Sequence, residues 1–364
     1  YRFQGKQKKA IEMYKQIIKN NPNLHYPRFD LSMMLFEDKQ YNEAKSEFEI
    51  VRPFLPTQIQ GLIDQLLTTM KKSQDWQPTV NFNFEKTDNV NQSSNIKEIS
   101  IGDATFIRDE ESLPKKAKGL GYTLNASREK NMMSNHYAYF SATFNGINYW
   151  DNKDYSEQTI RIDTGYKYKD LKQSFGIIPF IGQNILGNSR YSNNYGTGLE
   201  YNRLLSNRLQ VSANTTHIQK RYQDSDLAHY YDGHSNSQAA LVMYQPKSQL
   251  LIYSGVDWLQ DRLADEAESS NKQGIRSGFL YFGDSLGING NIRYSKRNFL
   301  ADNIWYGIHR KDNEYELNVA AWRKQWQWKG FTPKLNYRYQ KIDSNLPLYE
   351  RNNATWFMTI DKIF

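Results

Sequence analysis

The chain has 364 residues, 38% of them apolar, and a mean hydropathy of −0.81. That length admits two domains. No run of 18 apolar residues occurs, which excludes a transmembrane helix but not a membrane β-barrel, because half of every barrel strand faces a polar lumen. Cysteine is absent, so disulfide staples and thiolate metal sites are excluded. The net charge of +8 is spread along the chain and set against 39 acids, with no basic helix or aromatic RNA-binding motif, so nucleic acid is not an expected partner.

No leader is legible at Tyr1, and a mature or N-terminally shortened form of an exported protein is expected. Residues 1–75 read as helical. Ala10, Tyr14 and Pro22 recur as Ala44, Phe48 and Pro56, each shifted by 34 residues. The period and the A-x3-[YF]…P spacing resemble a tetratricopeptide repeat (TPR). The small Ala lets helices approach, the aromatic one turn later fills the same face, and Pro is expected to stop the second helix. Residues 26–37 and 41–52 supply the two helices of the complete repeat, and a third helix covers about 58–72. One repeat cannot bury both of its faces, so a longer array is expected. A concave groove with Tyr14, Tyr26, Phe29 and Met33 would bind a peptide or a partner domain.

Residues 76–364 alternate with period two in about 14 segments. Val80, Phe82 and Phe84 oppose Asn81, Asn83 and Glu85. Leu335, Tyr337 and Tyr339 oppose Asn336, Arg338 and Gln340. Trp356, Met358 and Ile360 oppose Phe357, Thr359 and Asp361, and the chain ends on Phe364. Such strands, ending on an aromatic, predict a transmembrane antiparallel β-barrel of the outer-membrane type, with the apolar set facing lipid. The links near 169–172, 205–207, 246–248 and 283–285 are short, whereas 88–118, 222–235 and 298–314 are long. Tight periplasmic turns and longer outer loops are expected to alternate, and an even strand count puts both termini and the helices in the periplasm. Ser225 and Asn303 are then outside, Ser206 and Ser248 inside.

No catalytic constellation stands out. The histidines show no metal-ligand spacing, and Asp224, Asp226, His229, Asp232 and His234 read better as a solvated loop than as a metal site. Asp257, Asp261 and Arg262 suggest an outer-membrane hydrolase only if an acid–base pair is built near the rim, which spacing does not supply. Neither enzyme activity nor a cofactor is expected. Trp322, Trp326 and Trp328, and Tyr149 with Trp150, read as interface anchors.

TPR helices ahead of a roughly 14-stranded barrel ending in Ala354–Phe364 resemble the surface lipoprotein assembly modulator (Slam) family. The resemblance implies a translocon that displays specific lipoproteins on the cell surface or secretes a haem-binding protein. It implies as partners that client, outer-membrane lipid, the barrel-assembly machinery and periplasmic chaperones. The first and last strands must pair to close the barrel. If that seam opens, Asn81, Phe82, Asn83 and Phe84 on one side, and Trp356, Phe357, Met358, Thr359 and Ile360 on the other, would offer backbone donors and acceptors to a client strand. No P-loop is present, so client folding or another machine would supply the energy. A passive porin and a membrane-anchored TPR scaffold are the alternatives.

Overall fold

The computed structural model describes residues 7–363; the terminal Phe364 lies outside the described residues. Four helices come first: α1 (Gln7–Asn20), α2 (His25–Glu37), α3 (Tyr41–Val51) and α4 (Thr57–Gln74). Ala10 and Ala44 are buried where helices cross. Phe48 is fully buried with Leu31, Met34, Leu35, Val51 and Ile63, and Phe29 meets its ring edge-on at 6.1 Å. The repeat positions therefore build the helical core. Pro56 does not end α3, as its spacing suggests. The chain passes first through a short 3-10 turn at Arg52–Phe54, and Pro56, fixed in an extended conformation, is the N-cap of α4.

Two residues after α4 the chain enters β1 (Gln77–Thr87). A small hairpin follows, β2 (Glu98–Ile101) and β3 (Ala104–Ile107), and then β4 (Ala117–Met133), β5 (His136–Tyr149), β6 (Glu157–Lys169), β7 (Gln173–Leu186), β8 (Ser189–Ser206) and β9 (Leu209–Tyr222). A short helix, α5 (Ser225–Tyr231), precedes β10 (Gly233–Lys247), β11 (Leu250–Leu263), β12 (Ser270–Phe282), β13 (Leu286–Asp302), β14 (His309–Arg323), β15 (Thr332–Ser344) and β16 (Arg351–Ile363). Fourteen of these strands, all but β2 and β3, form one closed antiparallel barrel in which β16 returns to pair with β1. Closure removes the sheet edge, which is what a sheet in lipid requires.

The alternation has the predicted sense. Phe82, Phe84, Ile160, Ile275, Ile292, Leu335, Trp356 and Met358 are exposed on the outer face. Where an outward position is polar, it finds a neighbour: Ser254 and Ser277 share a 2.9 Å hydroxyl contact. The lumen side is crossed by ion pairs. Lys167 joins Glu129 (3.0 Å) and Glu200 (2.8 Å), Arg293 joins Asp257 (2.5 Å), and Arg297 joins Glu314 (2.8 Å) and Asp261 (3.2 Å). Asp257 and Asp261 are thus tied into the wall. Gly287 is required on that face, because a Cβ there would sit 2.1 Å from the Trp322 indole.

Loop lengths depart from strict alternation in two places. The outer link between β7 and β8 is only Gly187–Asn188, both at positive φ, a tight hairpin turn in place of a long loop. The periplasmic link between β14 and β15, residues 324–331, is longer than its counterparts and carries the exposed Trp326 and Trp328. Asn303 is 7% exposed, its amide donating to the Tyr349 hydroxyl at 2.8 Å, whereas its neighbour Ile304 is 87% exposed. Outer labelling therefore belongs at Ile304. Single cysteines at Ser225 or Ile304 should react with a membrane-impermeant maleimide on whole cells, and those at Ser206 or Ser248 only after the outer membrane is breached. The reverse pattern would invert the orientation.

Candidate functional site: the closing strand pair

The seam joins the two ends of the barrel sequence. Its ladder runs from Thr79 opposite Ile363 to Lys86 opposite Trp356, eight residue pairs. On its other side β1 pairs with β4 over eleven, from Gln77 opposite Ser127 to Thr87 opposite Ala117. Among the described residues the seam is the shortest ladder of the barrel, the next being the ten pairs of β14 with β15. No ion pair bridges β1 and β16 among the described residues, in contrast to the β11–β14 wall. Per pair, backbone hydrogen bonds contribute roughly 0.5–1.5 kcal/mol net, so a ladder with fewer pairs has less backbone bonding to lose when it parts.

The structure brings the predicted seam residues together. Phe82 lies opposite Ile360 and Phe84 opposite Met358 on the lipid side, while Asn83 lies opposite Thr359 on the lumen side; Asn81 is in register with Asp361. Phe357 also faces inward, where the Arg338 guanidinium lies 4.9 Å from its ring centre. Trp356 packs on Tyr337 at 4.6 Å, and Phe84 stacks on Trp150 at 5.7 Å, so aromatic pairs flank the seam on both sides. Inside, a polar cavity of about 480 Å³ is lined by Asn83 and Glu85 of β1, by Asn353 and Thr355 of β16, by Arg338 of β15 and by Arg293 of β13.

The helices sit against the barrel beside β1, an arrangement with no signal in the sequence. Asn131, 0% exposed at the end of β4, is the centre of the dock. Its side-chain oxygen accepts from the Asn42 amide (2.9 Å), its carbonyl accepts from the Asn42 side chain (2.9 Å), and its own N–H donates to the Gln74 side chain (2.9 Å). Arg128 donates to the Gln74 carbonyl (2.9 Å), and the Tyr137 hydroxyl donates to the Lys39 carbonyl. Buried Asp38 accepts from Gln40 (2.8 Å), from Asn135 and from the Leu171 amide (3.3 Å). In the β6–β7 turn, Asp170 pairs with Lys8 (3.3 Å). Burial opposes the charge on Asp170, but the Lys172 and Gln173 amides, the Tyr168 hydroxyl and Lys8 together hold its carboxyl below its ordinary pKa. The dock thus covers the periplasmic turns of β4–β5 and β6–β7, next to one flank of the seam.

The four TPR residues separate. Tyr14, Phe29 and Met33 pack against the helical core, Tyr14 also donating to Asp30 at 3.4 Å; only Tyr26, 60% exposed, is free on the surface. In the outer loop, Asp224 caps α5 by accepting from the Asp226 and Leu227 amides, and Asp232 accepts from the Tyr222 amide. Among the described residues no three acids or histidines converge on a metal position.

Residues 76–364 match the family profile described as "Surface lipoprotein assembly modifier", and residues 1–48 match the profile of that family's N-terminal TPR repeats. The chain belongs to the surface lipoprotein assembly modifier family. It is 28% identical over 385 residues to the surface lipoprotein assembly modifier of Pasteurella multocida, covering 100% of this chain and 74% of that protein. It is 28% identical over 378 residues to a protein of the same description from Haemophilus influenzae strain 86-028NP, covering 100% and 75%. It is 24% identical over 384 residues to the hemophilin secretion modulator of Acinetobacter baumannii, covering 99% and 75%. As a member of this family with a closed 14-stranded barrel, the chain is an outer-membrane protein of a Gram-negative bacterium, with its helical part on the periplasmic side.

Proposed function

We propose that this family member passes a client protein, a surface lipoprotein or a secreted protein of the hemophilin kind, across the outer membrane through the β1–β16 seam. The helical domain holds the client below the membrane. The seam then parts and offers the β16 edge to a client strand, so that main-chain hydrogen bonds are exchanged one for one instead of being lost in lipid. The observation that carries this reading is the seam itself. Among the described residues it is the shortest ladder of the barrel, it pairs the first barrel strand with the last, and it stands beside the helical dock. Folding of the client outside makes its passage irreversible.

The test is a cross-link. The chain has no cysteine, so Phe84→Cys and Met358→Cys, opposed on the outer face, would be the only thiols. In cells displaying an epitope-tagged surface lipoprotein whose display depends on this protein, cross-linking this pair should leave the barrel inserted and abolish display, and reduction should restore it. Full display from a barrel shown on a gel to be cross-linked would rule out passage through the seam.

A further inference from the structure

The outer end of the seam is tied down by a loop from its own strand. Residues 88–116 leave β1; the β2–β3 hairpin within them is exposed, Ile107 at 72%, but the stretches on either side of it are bound together over the barrel mouth. Arg108 is the centre of their fold. Its guanidinium donates to the Ser94 carbonyl (2.7 Å), the Ile96 carbonyl (3.0 Å), the Ser93 hydroxyl (2.6 Å) and the Ser112 carbonyl (2.6 Å). Asn89 and Asn91 each use both ends of the amide. Asn89 bridges the Ser93 N–H (2.9 Å) and carbonyl (2.7 Å), and Asn91 bridges the Lys115 N–H (2.9 Å) and the Leu113 carbonyl (2.9 Å). Ser94 and Asn89 are buried. A long loop would ordinarily be mobile; this one is held together by side-chain bonds to its own backbone.

Its outer partners belong to β16 and the turn before it. Arg351 donates to the Gln92 carbonyl (2.8 Å) and side-chain oxygen (3.2 Å). Asn95 donates to Asn352 (3.0 Å) and Ser94 to the Pro347 carbonyl (2.9 Å); at the root of the loop, Asn353 donates to the hydroxyl of Thr87, the last residue of β1 (3.1 Å). These contacts lie above Lys86 and Trp356, where the ladder ends. The loop is covalently continuous with one seam strand and hydrogen-bonded to the other. Asn89, Val90 and Gln92 also roof the lumen cavity. At the opposite end the ladder runs down to Thr79 opposite Ile363.

We infer that residues 88–116 are a latch: the seam opens first at its periplasmic end, and complete passage of a client requires this loop to release β16. The inference rests on the seam reading above, and the test separates the two. Asn95→Cys with Asn352→Cys, joined by a disulfide or a short bis-maleimide, locks the latch without touching the ladder. The locked latch should reduce surface display of the same tagged lipoprotein at least tenfold, with recovery on reduction of the disulfide form. If the Phe84–Met358 cross-link blocks display and the latch cross-link does not, the seam stands and the latch is overturned. If neither blocks, both fail.

A second readout does not need a client. Spin labels at Lys86 and Trp356 report the upper seam, and labels at Phe82 and Ile360 the lower. In the purified chain the upper distance distribution should be narrow and the lower one broader. Arg108→Ala, which unravels the loop, and Arg351→Gln, which removes one tie while leaving the loop intact, should both broaden the upper distribution. An upper distribution unchanged in both variants would overturn the latch.

Discussion

Asn131→Leu should release the helical domain while the barrel stays closed. Asn131 lies between both parts of the chain, and its carboxamide is used at both ends: the oxygen by the Asn42 amide, the nitrogen by the Ser134 carbonyl at 2.7 Å. Leucine has similar volume but neither group. The Asn42 N–H and the Ser134 carbonyl would lose partners in a buried interface, at about 1–3 kcal/mol each. The surrounding contacts are mostly single polar bonds, with the Tyr41–Tyr137 edge contact at 6.2 Å and the Trp76–Phe140 contact at 5.6 Å as aromatic support. A loss on the order of 2–4 kcal/mol is enough to convert a fixed dock into a populated undocked state. Spin labels on exposed Lys45 of α3 and Lys172 of the β6–β7 turn should pass from one narrow distance distribution to a broad one. The heat-resistant gel mobility of the folded barrel should not change. A narrow distribution in the variant would show that Asn131 does not hold the dock.

The barrel was legible because lipid imposes a rule at every second residue. Val80, Phe82 and Phe84, and Trp356, Met358 and Ile360, had to point outward, and a slip of one residue would have buried Asn81 or Thr359 in hydrocarbon. The helices were legible because Ala10 and Ala44 occupy the same crossing position one repeat apart. What stayed hidden has no period. Asn42 and Asn131, or Asn95 and Asn352, meet across large separations through single amides that any polar loop could carry. The β7–β8 turn was hidden for a related reason: above the lipid, strands keep pairing with Asn, Gln and Ser on both faces, so Asn184 and Ser189 read as loop although they are paired. The groove assignment ran into the same limit, because Phe29 and Met33 serve the core of a short helical array as well as they would serve a binding face.

These parts form one argument about where the chain can move. Ion pairs across β11–β14 hold one wall, with Lys272 and Arg297 both on Glu314. The helical dock fixes the turns of β4–β7. The ladder between β1 and β16 remains, the shortest of the barrel among the described residues, strapped at its outer end by the loop that leaves β1. A client held by the helices therefore meets the least restrained pairing of the barrel on the side from which it arrives.

Ile292→Arg should destabilise the inserted barrel by about 2–4 kcal/mol, the cost of an Arg on the lipid face near the bilayer midplane. Ile292 lies midway along β13, 60% exposed on the outer face, opposite Ser277 on β12 and Leu317 on β14. No carboxylate stands at either opposed position, so the guanidinium can only reach toward the interfaces along the barrel wall. Asn289→Arg, three residues earlier on the same strand, projects into the lumen with water and other polar side chains, and its effect should be under about 1 kcal/mol. Both are measured by reversible urea unfolding from lipid vesicles. The inequality tests the register itself: if Asn289→Arg costs as much as Ile292→Arg, β13 is not in lipid, and if it costs more, inside and outside are exchanged by one residue along the whole strand.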